Sequence, residues 1–334
     1  MSEYIIIEIA LLLLYKQRGR FLFVSILVFF ILFAGFRGFN VGTDTMNYYL
    51  SYGSGWGEYS YNEELGFVLL RTLLSAGGVD YRNFLLIESV LFYVPIFFVI
   101  YKKTKYPIFS LFLFFSLGYC FFFFNTQRQM LATSIVTLAF YLYEKKYAIW
   151  MPISLILFAF FFHSSAIIFL GLFFVDKIRL DAKMVVAFML LTFLLPFIIS
   201  PIDLINRVIN ILPFFSRYNY YIESGLESAF SINRFFLNAL FVFLILKTND
   251  TLNDRSCKLT LLGIIIINLF PIGVFKRMSD LFLFFQIFYL NKKYFQKNLV
   301  DKILIITYSV VVFFVYLYNN NGGIVPYVFS MSHE

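Results

Sequence analysis

Sulfur and imidazole are scarce: the 334 residues include only two cysteines and two histidines, one of them penultimate. Cys120 lies in an apolar run and Cys257 in a stretch that reads as a charged loop, so neither a disulfide framework nor a thiolate metal cluster is expected. Asp-x-Asp pairs are missing as well. Nothing of that kind can chelate a divalent ion around a sugar nucleotide, and no metal or other cofactor is expected. Charged residues make up 14% of the chain against 61% hydrophobic. The apolar residues come in long runs rather than with the period of a half-buried helix, which excludes a soluble globular domain. The net charge of +8 needs no nucleic acid to explain it, because an excess of Lys and Arg is what holds membrane-protein loops in the cytoplasm.

What is present is hydrocarbon-compatible sequence. A spanning helix needs roughly 17–25 mainly apolar residues, and residues 21–36, 84–101, 108–124 and 303–318 are the clearest runs. The chain therefore reads as an all-α polytopic membrane protein. Residues 1–334 are expected to form a single integral membrane domain with about twelve segments, at 4–15, 21–36, 83–101, 107–124, 129–143, 147–162, 164–175, 183–200, 233–247, 258–275, 280–290 and 302–318. No charged leader with a small-residue cleavage site precedes the first run, which is expected to be a retained helix. Alternate loops hold eighteen of the 27 basic residues. By the positive-inside rule these loops are cytoplasmic and both termini lie outside.

The nine outer cations are Arg37, Arg71, Arg82, Arg128, Arg207, Arg217, Arg234, Lys276 and Arg277. That is eight Arg to one Lys, against four Arg to fourteen Lys inside. Topology requires charge alone. Arg adds a planar fork of donors that pairs bidentately with phosphate or carboxylate, so the outer face suits anions. One explanation is structural pairing with the outer acids, among them Asp44, Glu64 and Asp280; the other, favoured for the set as a whole, is phosphate. Arg71, on an amphipathic stretch without a motif, is expected to tolerate exchange to Lys.

Two outer segments are long, residues 37–82 and 201–232. Each has apolar stretches too short to span, which suits helices lying in the interface. The first loop opens Phe36-Arg37-Gly38-Phe39-Asn40-Val41-Gly42-Thr43-Asp44-Thr45-Met46-Asn47-Tyr48-Tyr49 and reaches Glu63-Glu64-Leu65-Gly66. Gly42-Thr43-Asp44 reads either as a helix N-cap or as the site of a carboxylate, Asp44 or Glu64, that acts as a base. Phe124-Asn125-Thr126-Gln127-Arg128-Gln129 leaves Arg128 at a short turn between apolar spans, where it either snorkels to headgroups or meets a partner in a wet cavity. His163, in Phe162-His163-Ser164-Ser165-Ala166, interrupts 29 residues (147–175) that must cross twice. It is either hydrogen-bonded between helices or a proton acceptor. The second loop supplies Ser216-Arg217-Tyr218, and Phe275-Lys276-Arg277 precedes Asp280 at the last outer turn.

These strings resemble the EpsG-like branch of the Wzy family, the bacterial O-antigen and exopolysaccharide repeat-unit polymerases. The likeness rests on Arg37 to Asp44 with Tyr48 or Tyr49, Glu64 with Gly66, Asn125 to Gln129, His163 to Ala166, and Arg277 opening a late helix, all in the family's order. It implies a GT-C-like helical glycosyltransferase in the bacterial inner membrane, working on undecaprenyl diphosphate-linked oligosaccharides at the outer leaflet. Arg37, Arg128, Arg217 and Arg277 would then hold the diphosphate. Asp44, His163 or Glu64 would activate the acceptor hydroxyl, and Thr43, Tyr48, Asn125 and Gln129 would contact substrate. The resemblance is compatible with a chain-length regulator as partner.

A flippase or transporter of lipid-linked saccharide should show internal repeats and polar residues near mid-membrane; no convincing repeat is present and the polar set is one-sided. A membrane acyltransferase would need a constellation on the inner loops, which are short and lysine-rich. An O-antigen ligase differs only in its acceptor. The topology has a direct test: impermeant maleimide should label Ser54→Cys and Ser224→Cys but not Thr104→Cys, and the reverse pattern would sink the charge map.

Overall fold

Long runs of Phe, Leu and Ile leave the backbone no water to bond, and only a helix satisfies each N–H and C=O within its own segment. The computed structural model describes residues 1–53, 64–200, 203, 232–247, 252–270, 273–296, 298–320 and 322–330, and no strand occurs among them. The helices are α1 (Ser2–Leu13), α2 (Arg20–Gly35), α3 (Thr45–Tyr52), α4 (Leu65–Ala76), α5 (Tyr81–Lys103), α6 (Pro107–Ser116), α7 (Tyr119–Asn125), α8 (Gln127–Glu144), α9 (Trp150–Phe162) and a 3-10 segment Ser164–Gly171. They continue as α10 (Leu172–Val175), α11 (Ala182–Ile198), α12 (Ile232–Leu246), α13 (Arg255–Leu269), α14 (Gly273–Leu283), α15 (Gln286–Gln296) and α16 (Leu299–Tyr318).

Among the described residues, α5 and α16 are long and apolar enough to cross a membrane, and α6 with α7 passes the same test only as a pair bent by 51°. The bend falls at Gly118, whose φ of +84° is a left-handed turn that ends one helix and starts the next. Six further helices are apolar but only 10–17 residues long. This is a multi-pass, all-helical membrane protein.

Three expected boundaries are corrected. The run 107–124 is a bent pair rather than one rod. The segments expected at 258–275 and 280–290 are redivided as α13, α14 and α15. α13 stops at Leu269 because Phe270 precedes Pro271, and a residue before proline is pushed out of the helical region. Arg277 therefore sits inside α14 instead of opening a helix. Cys257 is buried in the first turn of α13 rather than exposed in a loop, because the Asp254 side chain caps that helix by accepting from the N–H groups of Ser256 and Cys257.

The chain divides into two compact units, Met1–Leu170 with Ser309–Glu334, and Gly171–Tyr308. In the first, α2 packs on α5, α5 on α8, and α9 on both α8 and α4. Phenylalanines fill the interior, as where Phe92 stacks on Phe123 at 4.5 Å. Arg82 begins α5, while Lys102 and Lys103 end it. At the lysine end Lys103 pairs with Glu144, the last residue of α8. At the arginine end residues 322–330 lie along the loop that follows α2. In the second unit Asn238 of α12 donates to Asn268 of α13 at 3.1 Å, and Asn268 donates to Thr192 of α11 at 3.4 Å.

Close approach of α4 to α9 depends on Gly66: a Cβ there would lie 2.8 Å from the Phe161 carbonyl oxygen, a backbone atom that no rotamer change can move. Gly66→Ala should lower stability by about 1–3 kcal/mol through overpacking. Gly53→Ala, with open space around it, should not. Melting of the two variants in detergent decides, and equal Tm values would show that the α4–α9 contact yields.

Candidate polar site at the loop that follows α2

The site gathers strings that lie far apart in the chain. Glu64 is the N-cap residue of α4 in extended conformation. Its carboxylate meets two basic groups: Arg128 Nη1 donates to Oε2 at 2.6 Å, and His163 Nδ1 lies 2.9 Å from Oε1. The Ser164 N–H also donates to Oε1, at 3.4 Å. Arg128 occupies the first turn of α8 and His163 the residue that terminates α9. One acid thus ties the beginnings of α4 and α8 to the end of α9.

Burial by itself raises the Glu64 carboxyl. The hydrogen bond from His163, the Arg128 and His163 charges and the Ser164 N–H outweigh it and hold the group down at about 2. Glu64 is thus ionised throughout the physiological range. With its Nδ1–H directed at that carboxylate, a neutral His163 carries its lone pair on Nε2. Tyr48 lies beside Arg128, whose charge and hydrogen bond oppose the upward push of burial on its phenol.

A second set adjoins the first along residues 125–128. Asn125 Oδ1 accepts from the Thr43 hydroxyl at 2.9 Å and from the Asp44 N–H at 3.4 Å. Thr45 Oγ1 donates to the carbonyls of Val41 and Phe124. Gly42 makes this possible: its φ of +97° is left-handed, and a Cβ would meet the Phe124 carbonyl at 2.8 Å. Asp44 is the N-cap residue of α3, yet its side chain makes no capping hydrogen bond and is only half-buried. Its Oδ1 lies 3.5 Å from the Thr43 hydroxyl. Gln129 is buried nearby on α8.

Arg37 is placed differently from the expectation that it grips a headgroup. It is 0% exposed, donates from Nη1 to the Ala34 carbonyl at 2.5 Å, and lies over the rings of Phe123 and Phe124. Gln127, with its amide turned so that its oxygen faces the guanidinium, accepts from Arg37 Nη2 at 2.7 Å and donates to buried Glu88 at 3.3 Å. Arg82 in turn donates to the Arg37 carbonyl at 2.6 Å. This arrangement pins the loop from within. Arg71, placed by sequence on an amphipathic stretch, is buried at 1% exposure. Glu88 was not singled out by sequence, Gln127 entered only within the string around Arg128, and Arg82 only as one of the nine outer cations, not as the donor to the Arg37 carbonyl. Arg277 belongs to the second unit, and Arg217 lies outside the described residues. No cluster of three or more metal-ligating side chains occurs among the described residues.

The model of the EpsG family matches residues 20–329. No curated protein and no solved structure matches the chain.

The depressed Glu64 value predicts an acid limb of stability. A carboxyl lowered from 4.5 to about 2 on folding stabilises the folded state above its unfolded value, and that contribution is lost as pH falls from about 4.5 toward 2. Melting curves across this window should show the loss in wild type but not in Glu64→Gln. A difference in Tm between them that stays constant with pH would refute the ion-paired assignment.

Proposed function

The chain belongs to the EpsG family, a Wzy-like polymerase family, and from that premise we propose that it joins undecaprenyl diphosphate-linked oligosaccharide repeat units into a surface polysaccharide. In this reading about twelve segments cross the bacterial cytoplasmic membrane in a GT-C-like arrangement, and the site faces the periplasm or exterior. The observation that carries it is the convergence of separated strings: Arg128 and His163 share Glu64, and Thr43 and Asp44 meet Asn125 in the adjoining set.

The reaction transfers the growing glycan from its diphosphate carrier to a hydroxyl of a newly arrived lipid-linked repeat. The C–O bond to diphosphate breaks, a new glycosidic bond forms, and the hydroxyl proton goes to a base. Arg128 stabilises the departing diphosphate, since a preorganised fork aimed at developing charge lowers the barrier. Arg217 and Arg277, for which only the outer arginine bias argues, are proposed as further phosphate-binding groups. Glu64, held ionised by two partners, is a weak proton acceptor and orients Arg128 and His163 instead. Asp44 accepts the proton, because its carboxylate is half-exposed and unused in capping; His163 is the second choice. A ligase would use the same machinery with another acceptor.

Purified protein supplied with lipid diphosphate-linked repeats should elongate them, and should do so in excess EDTA. Arg128→Lys keeps the charge but removes the fork. Loss of ~1.5–3 kcal/mol would slow turnover roughly tenfold to more than a hundredfold, while Asp44→Asn should cost about 10²–10⁴-fold. Activity that vanished with EDTA and returned with magnesium would refute metal independence. Normal polymer from Arg128→Lys would remove the clamp.

A further inference from the structure

Beyond the helices, the segment after α16 contacts the candidate site at residues 42, 43 and 125. Asn320 adopts a φ of +43°, and Gly322 and Gly323 follow at +93° and +61°. Asn and Gly are the residues that enter this region at least cost. The Asn320 side chain brackets Val325, accepting from its N–H at 2.9 Å and donating to its carbonyl at 3.0 Å. The turn so closed sends residues 322–330 back along the loop that follows α2. There Thr43 N–H donates to the Gly322 carbonyl and Gly42 N–H to that of Gly323, each at 3.0 Å. Farther along, Gly38 N–H donates to Val328 at 2.7 Å and Ser330 N–H to Phe36 at 2.9 Å. Tyr327 stacks on Phe33 at 4.3 Å and donates its hydroxyl to the Phe33 carbonyl. The Tyr4 hydroxyl holds the Ile324 carbonyl from α1 at 2.7 Å.

We infer that this C-terminal strap positions Thr43 and Asn125, the pair expected to contact substrate, with Gly322 as the positioning residue. The inference rests on the functional reading above for what that pair does, and on geometry for how it is held. A Cβ on Gly322 would overlap Asn125 Nδ2. The amide is the movable member of that contact. It would swing away, and swinging takes Oδ1 off the Thr43 hydroxyl and the Asp44 N–H. The same Gly322 carbonyl fixes Thr43 from its backbone side, so one residue sets both partners of the Thr43–Asn125 hydrogen bond.

Gly322→Ala tests this against Gly78→Ala. Gly78 has a comparable φ of +78° with open space around it, so its variant carries the backbone strain without the contact. Gly322→Ala should lower kcat/KM for elongation about tenfold, chiefly through KM for the acceptor repeat. Gly78→Ala should stay within about twofold of wild type. In an Asn125→Ala background, Gly322→Ala should cost less than about threefold more, because the group it displaces is already gone. Equal losses at the two glycines, or full additivity with Asn125→Ala, would overturn the inference. Wild-type protein that fails to elongate lipid-linked repeats would instead sink the functional reading. Hydrogen exchange keeps the strap testable in that event: the amides of Gly38, Gly42 and Thr43 should exchange slowly in wild type and Gly78→Ala and at least tenfold faster in Gly322→Ala. Fast exchange in wild type, or no change in Gly322→Ala, would show that the strap holds nothing in place.

Discussion

The described part of the site depends on one ionised carboxylate. Glu64 receives Arg128 at 2.6 Å and His163 at 2.9 Å. A charge in a largely apolar protein is tolerable only when its donors are supplied, and the reverse holds for the two bases. Removing Glu64 takes a partner from both bases at once. That mutual need brings α4, α8 and α9 to one place and fixes the Arg128 fork against the carboxylate.

A different balance governs the loop just before it. Arg37 is a cation with no access to water, and it is held by the Ala34 carbonyl, the Gln127 amide and two phenylalanine faces. The backbone around it is gripped from three directions: Arg82 binds the Arg37 carbonyl, Gly42 packs against Phe124, and the C-terminal strap pairs with residues 36–43. A loop held this firmly presents Thr43 and Asp44 as fixed groups. Fixed groups are what charge stabilisation in a transition state requires, since reorganisation at the moment of reaction raises the barrier.

Glycine carries much of this geometry. Gly42 lets the loop approach α7, Gly66 lets α4 approach α9, and Gly322 lets the strap approach Asn125. At Gly42 and Gly66 a Cβ would meet a backbone oxygen, and at Gly322 it would displace the Asn125 amide. The family match over residues 20–329 covers all three positions.

Composition and the length of the apolar runs determined by themselves that the protein is helical and membrane-embedded, because hydrocarbon leaves the backbone no other way to bond. The strings at 37–44, 64–66, 125–129 and 163–166 were legible as the polar exceptions, since a charge among so many phenylalanines must have a reason to be there. Which acid meets which base was not legible. Asp44, Glu64 and His163 looked equivalent in sequence, and contacts across 64 to 100 residues made Glu64 the shared partner and left Asp44 uncapped. Arg37 and Arg128 looked alike too; only the fold put one wholly inside and the other against a carboxylate. Burial is set by what packs on a residue from elsewhere in the chain, and neither the turn at Gly118 nor the return of residues 322–330 is written in local hydropathy.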